Sequence, residues 1–160
     1  MRRRIIPFAI VLVCGLSRAG QPVNANPQNA PSLPAAVQAT NDQFVADILH
    51  KIAGHETEPA GQVFENIQMF KDTPARQLLA FMSVGYAPAL GVTCTHCHVE
   101  GDFASDAKRP KRAAREMAVM HRSINDQLAK MQNLATPVTE NRAVNCTTCH
   151  RGKVNPRAKD

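Results

Sequence analysis

The sequence predicts a mainly α-helical fold with few or no strands, its helices packed around something other than their own side chains. Three observations predict it. Apolar residues recur at helical spacing in segments that begin near positions 41, 73 and 110. The chain has no Trp, one Tyr and six Phe, so it lacks the residues that usually supply much of a small core's buried area. A Cys-x-x-Cys-His segment occurs twice, each time after a helix that carries methionine.

Residues 1–19 read as an export signal. Arg2, Arg3 and Arg4 precede an apolar run from Ile5 to Leu16, and small residues follow at Ser17 and Ala19. Twelve residues are too few to cross a bilayer as a helix. Cleavage is expected after Ala19, with Ala25 as the second choice. Lipidation at Cys14 is an alternative, for which Val13 is a poor fit because that position normally takes a small residue. Of the net charge of +6, four charges are Arg2, Arg3, Arg4 and Arg18, and without them the excess is +2. That is too little to point to nucleic acid.

Residues 20–40 contain Pro22, Pro27, Pro31 and Pro34 and read as a flexible or extended lead-in. A first helix is expected to start at Asn41, with Asn41 and Asp42 as its cap and Phe44, Val45, Ile48, Leu49 and Ile52 on one face, and to end at Gly54. His50 and His55 fall near its end, where surface positions are expected, although either is a ligand type. Pro59-Ala60-Gly61 is expected to break the chain before the apolar segment Val63–Phe70. A second helix follows with Thr73 as cap and Pro74 in the first position, carries Leu78, Leu79, Phe81 and Met82, and runs into Gly85, Pro88 and Gly91 just ahead of the first motif. The third helix has Pro110 in its first turn and one stripe of Ala113, Met117, Met120, Ile124, Leu128 and Met131. A loop through Pro137 leads to the second Cys-x-x-Cys-His segment, and residues 154–160 form a basic tail.

The two motifs, Cys94-Thr95-His96-Cys97-His98 and Cys146-Thr147-Thr148-Cys149-His150, encode a geometry. Two thiols three positions apart lie on one side of a helical turn and can add to the two vinyl groups of one haem. The histidine that follows then sits under the ring as the proximal ligand. A lone Cys-x-x-Cys is also found in redox dithiols and as half of a zinc site, but an all-cysteine zinc site does not need a histidine directly after each pair. If Cys14 leaves with the leader, the four remaining cysteines are Cys94, Cys97, Cys146 and Cys149, all inside the motifs. An oxidising, exported compartment suits both the leader and thioether attachment. The expectation is haem c, two per chain, with His98 and His150 on the irons. His96 is expected at the surface.

For the opposite face of each iron, Met82 lies 12 residues before Cys94 and Met117 lies 29 before Cys146. A methionine at helical spacing is most often core packing, which is the expectation for Met69, Met120 and Met131. Position alone leaves Met82 and Met117 undecided, with His121, one turn after Met117, as a rival ligand.

The stretch from Val63 to Lys153, more than half of the chain, resembles the tetrahaem cytochrome subunit of photosynthetic reaction centres, and more closely short dihaem relatives of that domain. The resemblance is carried by Val63-Phe64-Glu65-Asn66-Ile67, Leu90-Gly91-Val92-Thr93-Cys94, Cys97-His98-Val99-Glu100, Ala104-Ser105-Asp106, Ala114-Arg115-Glu116-Met117-Ala118-Val119-Met120, Ile124-Asn125 and Cys146-Thr147-Thr148-Cys149-His150-Arg151-Gly152. It implies a mostly helical fold in which a methionine on the helix before each motif is the sixth iron ligand: Met82 for the haem at Cys94, Cys97 and His98, and Met117 for the haem at Cys146, Cys149 and His150. The chain has motifs for two haems rather than four, so docking to a reaction centre does not follow from the likeness.

The expected protein is therefore a periplasmic or membrane-associated dihaem cytochrome c domain (residues 41–153) that carries single electrons between a redox protein donor and acceptor. The alternatives are a dihaem oxidoreductase of peroxidase type with one open iron, and a haem subunit of a larger membrane electron-transfer complex.

Overall fold

The computed structural model describes residues 31–133 and 144–157. The leader with Cys14, most of the lead-in, the loop at Pro137 and the last three residues lie outside these. Within them run α1 (Ala35–Lys51), α2 (Ala60–Val63), α3 (Ala75–Ala80), α4 (Ala87–Leu90), α5 (Arg109–Ala129) and α6 (Cys146–His150). A π-helical stretch, Phe81–Tyr86, joins α3 to α4, and Cys94–His96 form a 3₁₀ turn. Among the described residues the β pairing consists of two isolated bridges, Pro59 with Pro74 and Val99 with Asp102. The mainly helical class is as the sequence predicts.

α1 starts six residues before the expected cap. Pro34, extended at ψ 141°, takes the capping position, and the helix-forming run Ala35-Ala36-Val37-Gln38-Ala39 follows, inside the segment expected to be a loose lead-in. Asn41 does not cap this helix. It is fully buried within it, where its Oδ1 accepts from the Cys94 backbone N–H at 2.9 Å and its Nδ2 donates to Val92 O at 3.2 Å. The side chain read as a local cap thus satisfies the backbone of a segment some fifty residues away.

Pro59 starts the short helix α2 rather than only breaking the chain, and Ala60 N donates to Thr73 O at 2.8 Å, tying this turn to the start of the next helix. α3 is capped by Pro74, one residue later than expected. The run then passes through Gly85 and Pro88 and stops only at the last of the three expected positions, Gly91. The π-helical register is the physical reason. Ala87 N reaches back to Met82 O, five residues away, so the ladder has already shifted where Pro88 has no N–H to offer. Gly91, at φ 71°, ends α4.

The core is thin. The buried apolar residues among those described are Ile52, Leu78 and four alanines. Larger side chains, among them Phe44, Ile48, Phe64 and Leu79, instead line a cavity of about 400 Å³. Protein interiors normally pack to crystal density, and a cavity of this size is what a core short of aromatics leaves.

α5 begins with Pro110 in its first turn, as expected. Its methionines are not core. Met117 and Met120 are 47% and 48% exposed, and Met131 lies beyond the helix end at 51%. α5 has 21 residues and α6 only five, so α6 cannot cover the whole apolar face.

Candidate haem sites

The eight residues expected to hold two haems fall into two groups, one at each cavity. Cys94, Cys97, His98 and Met82 line the large one. The Cys94 carbonyl accepts from Cys97 N at 3.3 Å and His98 N at 3.1 Å, winding the motif into a turn that Asn41 fixes at Cys94 N. Burial pushes both thiols, Cys94 and Cys97, above the ordinary thiol value.

His98 is oriented from two sides. Its Nδ1 donates to Phe103 O at 2.9 Å, and its ring stacks on that of Phe103 with centroids 5.0 Å apart at 21°. Burial, assisted by the positive charges of Lys111, Arg115 and Lys108 and opposed by the Phe103 carbonyl, lowers its pKa. With Nδ1–H engaged, Nε2 is left as the nitrogen that could bind a metal, the arrangement in which a second hydrogen bond fixes the tautomer of a metal-binding histidine. Met82 is carried by the π-helical stretch, and its carbonyl accepts the five-residue bond that defines that register.

Cys146, Cys149, His150 and Met117 line a second, smaller cavity of about 60 Å³. Asn145 caps α6: its Oδ1 accepts from Thr148 N at 3.0 Å, while its own N–H donates to Thr148 Oγ1 at 3.1 Å. His150 Nδ1 donates to Lys153 O at 3.0 Å, repeating the anchoring of His98. His121 lines the same cavity, but its Nε2 donates to Val144 O at 2.6 Å. Asn125 grips the same residue, donating from Nδ2 to Val144 O at 2.9 Å and accepting from Val144 N at 3.1 Å. His121 and Asn125 together hold the strand of chain entering α6 against α5.

Tyr86 and Ala114 line both cavities, so the two share a wall. His50 and His55 line neither. His50 is exposed, and His55 pairs with Glu58 at 2.8 Å on the surface. His96 is half-buried at the end of the 3₁₀ turn and also lines neither. Met69 lines the large cavity, and Met120 the small one, instead of packing a closed core.

Beside the first motif, Asp106 binds Arg115 at 2.8 Å and faces Lys111 at 3.4 Å. The hydrogen bond from Arg115 holds its carboxyl well below the usual carboxylate range. Sequence reasoning missed Asn41 as an anchor, Tyr86 as a shared wall, and Lys111. Nothing local marks Asn41 or Lys111. Asn125 stood in a motif but without a role.

Each group brings two thiols, a Nδ1-anchored imidazole and a thioether to apolar walls. This is the donor set of haem attached through thioethers with histidine and methionine on the axial positions. The large cavity offers volume, and the half-exposed Met117 and Met120 offer an apolar face that a macrocycle would cover. A helical chain that gathers Cys-x-x-Cys-His turns in this way is a c-type cytochrome, a haem protein of electron transport. It belongs to the family of the photosynthetic reaction centre cytochrome C subunit, whose model matches residues 18–159.

The chain is 34% identical over 90 residues to cytochrome c-554 of Chloroflexus aurantiacus, covering 56% of this chain and 21% of that one. It is 33% identical over 105 residues to the photosynthetic reaction center cytochrome c subunit of Roseobacter denitrificans, covering 62% and 27%. The corresponding subunit of Thermochromatium tepidum is 33% identical over 109 residues, covering 66% and 25%. The chain thus spans between a fifth and a third of the length of these curated relatives. No solved structure matches it.

Proposed function

We propose that this chain is an exported dihaem c-type cytochrome that carries single electrons between redox partner proteins at the periplasmic side of a membrane. In this reading residues 1–19 are the signal peptide, 20–40 the lead-in, 41–153 the dihaem domain and 154–160 the tail. Cys94 and Cys97 hold one haem and Cys146 and Cys149 the other. His98 and His150 are the proximal ligands, and Met82 and Met117 the distal ones. The single observation that supports this best is the convergence of each Cys-Cys-His-Met set on its own cavity.

Haem c supplies an iron that cycles between two oxidation states while its ligands stay in place. Met82 and Met117 would close each iron to substrate, and outer-sphere transfer would be the chemistry left. Phe103 O and Lys153 O lock the two imidazoles, which keeps reorganisation small when charge changes. The wall shared at Tyr86 and Ala114 supports exchange between the two sites. His121 is engaged with Val144 O, which favours Met117 as the second distal ligand. Among the described residues no helix is long and apolar enough to cross a membrane. Nucleic acid is not a partner in this reading.

The test is an optical spectrum of the matured, oxidised protein, followed by reduction and addition of carbon monoxide. Two low-spin haems with the methionine–iron charge-transfer band and no reaction with carbon monoxide are expected. A high-spin component or rapid carbon monoxide binding would mean an open iron and would overturn the closed-site carrier in favour of peroxidase-type chemistry.

A further inference from the structure

Lys111 is the one charged residue buried among the described residues. Its ammonium donates to three successive backbone carbonyls, Phe103 O at 2.8 Å, Ala104 O at 2.7 Å and Ser105 O at 3.0 Å. An ammonium has three protons, and all three are used in this way. Burying a charge is unfavourable unless it is fully hydrogen-bonded or paired. Here the hydrogen bonds are complete, and the carboxylate nearby is itself shared, since Asp106 stands 3.4 Å away through Oδ1 while its Oδ2 binds Arg115 at 2.8 Å. Two cations thus face one carboxylate, and the group keeps a net positive charge at the wall of the large cavity, which both Lys111 and Arg115 line.

One of the three carbonyls has a second partner. Phe103 O accepts from Lys111 Nζ and from His98 Nδ1, the latter at 2.9 Å. The buried ammonium is therefore separated from the proximal imidazole by a single oxygen atom. Two effects follow with the same sign. A carbonyl that accepts from a ligand histidine makes the imidazole a stronger donor to its metal, and an ammonium on the same oxygen competes for that electron density. A fixed positive charge beside an apolar cavity is also weakly screened, and it disfavours the more positive, oxidised iron. The second site lacks this feature: His150 Nδ1 donates to Lys153 O, and no buried charged residue is found there among the described residues.

We infer that Lys111 is a tuning residue of the first haem, raising its reduction potential through the shared Phe103 carbonyl and so making the two haems unequal. The inference rests on the dihaem reading above. It assigns Lys111 no contact with the iron and no part in haem attachment.

The test is a redox titration of the full-length holoprotein, wild type against Lys111→Met and Lys111→Arg. Stepwise reduction is followed by proton NMR, in which the first haem is recognised by the contact of its axial imidazole with the Phe103 ring. The inference expects Lys111→Met to lower the midpoint of that haem and leave the other in place, and Lys111→Arg to stay near wild type. Lys111→Gln, which loses the charge but keeps a donor to the carbonyls, is the second neutral variant, and it also lowers the first midpoint alone. Unmoved potentials in a neutral variant with both haems bound, or equal shifts of both, would overturn the inference and leave the dihaem reading standing. Mass spectrometry of the wild-type peptides separates the cases, because a first motif without covalent haem would overturn both.

Discussion

Gly152 donates its backbone N–H to Ala89 O at 2.9 Å, and its own carbonyl lies 2.2 Å from where a Cβ on Gly91 would stand. The turn that enters the first motif and the turn that leaves the second therefore touch backbone to backbone, and this contact sets the two sites side by side.

Gly91→Ala tests that contact. Gly91 sits at φ 71°, where a side chain is strained, and the opposing atom is backbone that cannot rotate away. A loss of about 2–4 kcal/mol is expected in chemical denaturation, above the ~1–3 kcal/mol of a strained conformer alone because a clash is added. A change within about 0.5 kcal/mol, the usual range of a neutral surface substitution, would show that the two turns part easily.

Asn41→Ala removes the acceptor of Cys94 N and the donor to Val92 O. Leaving buried groups unpaired costs about 1–3 kcal/mol. Haem occupancy at Cys94 and Cys97, read by mass spectrometry, is expected to fall while that at Cys146 and Cys149 holds. Equal loss at both motifs would mean Asn41 supports the fold in general rather than the first turn.

His121→Gln separates a pin from a ligand. If His121 holds Val144 O, the variant loses about 1 kcal/mol of stability and keeps both methionine–iron bands. Met117→Leu is the complementary change, and it is expected to abolish one band and let carbon monoxide bind one haem. The opposite pattern would make His121 the ligand.

The pH dependence of stability carries a sign that Asp106 fixes. Its folded pKa is depressed by Arg115, so its contribution is present above the ordinary carboxylate pKa of about 3.9 and is lost as pH falls towards the folded value. Acid titration of the wild type is expected to show this loss, and Asp106→Asn to flatten it. Identical acid profiles for the two proteins would count against the Arg115–Asp106 pair as a source of stability.

The sequence alone determined the chemistry and the class. Cys-x-x-Cys-His is a local code, since the two thiols and the histidine lie within one turn, and helical periodicity marked α5 together with the Pro110 in its first turn. Scarce aromatics also pointed to a core that its own side chains do not fill, and the resemblance singled out Met82 and Met117, which line the two cavities. Tertiary structure decided what depends on distant partners. Asn41 has the residue type of a helix cap, but its hydrogen bonds go to Val92 and Cys94. Pro88 looks like a helix breaker, yet the π-helical register absorbs its missing N–H. Lys111 looks like any basic residue of a solvated helix until the turn at Phe103 folds back over its ammonium. In each case the side chain's role is set by a hydrogen-bond partner beyond its own turn of chain, and periodicity reports only what lies within that turn.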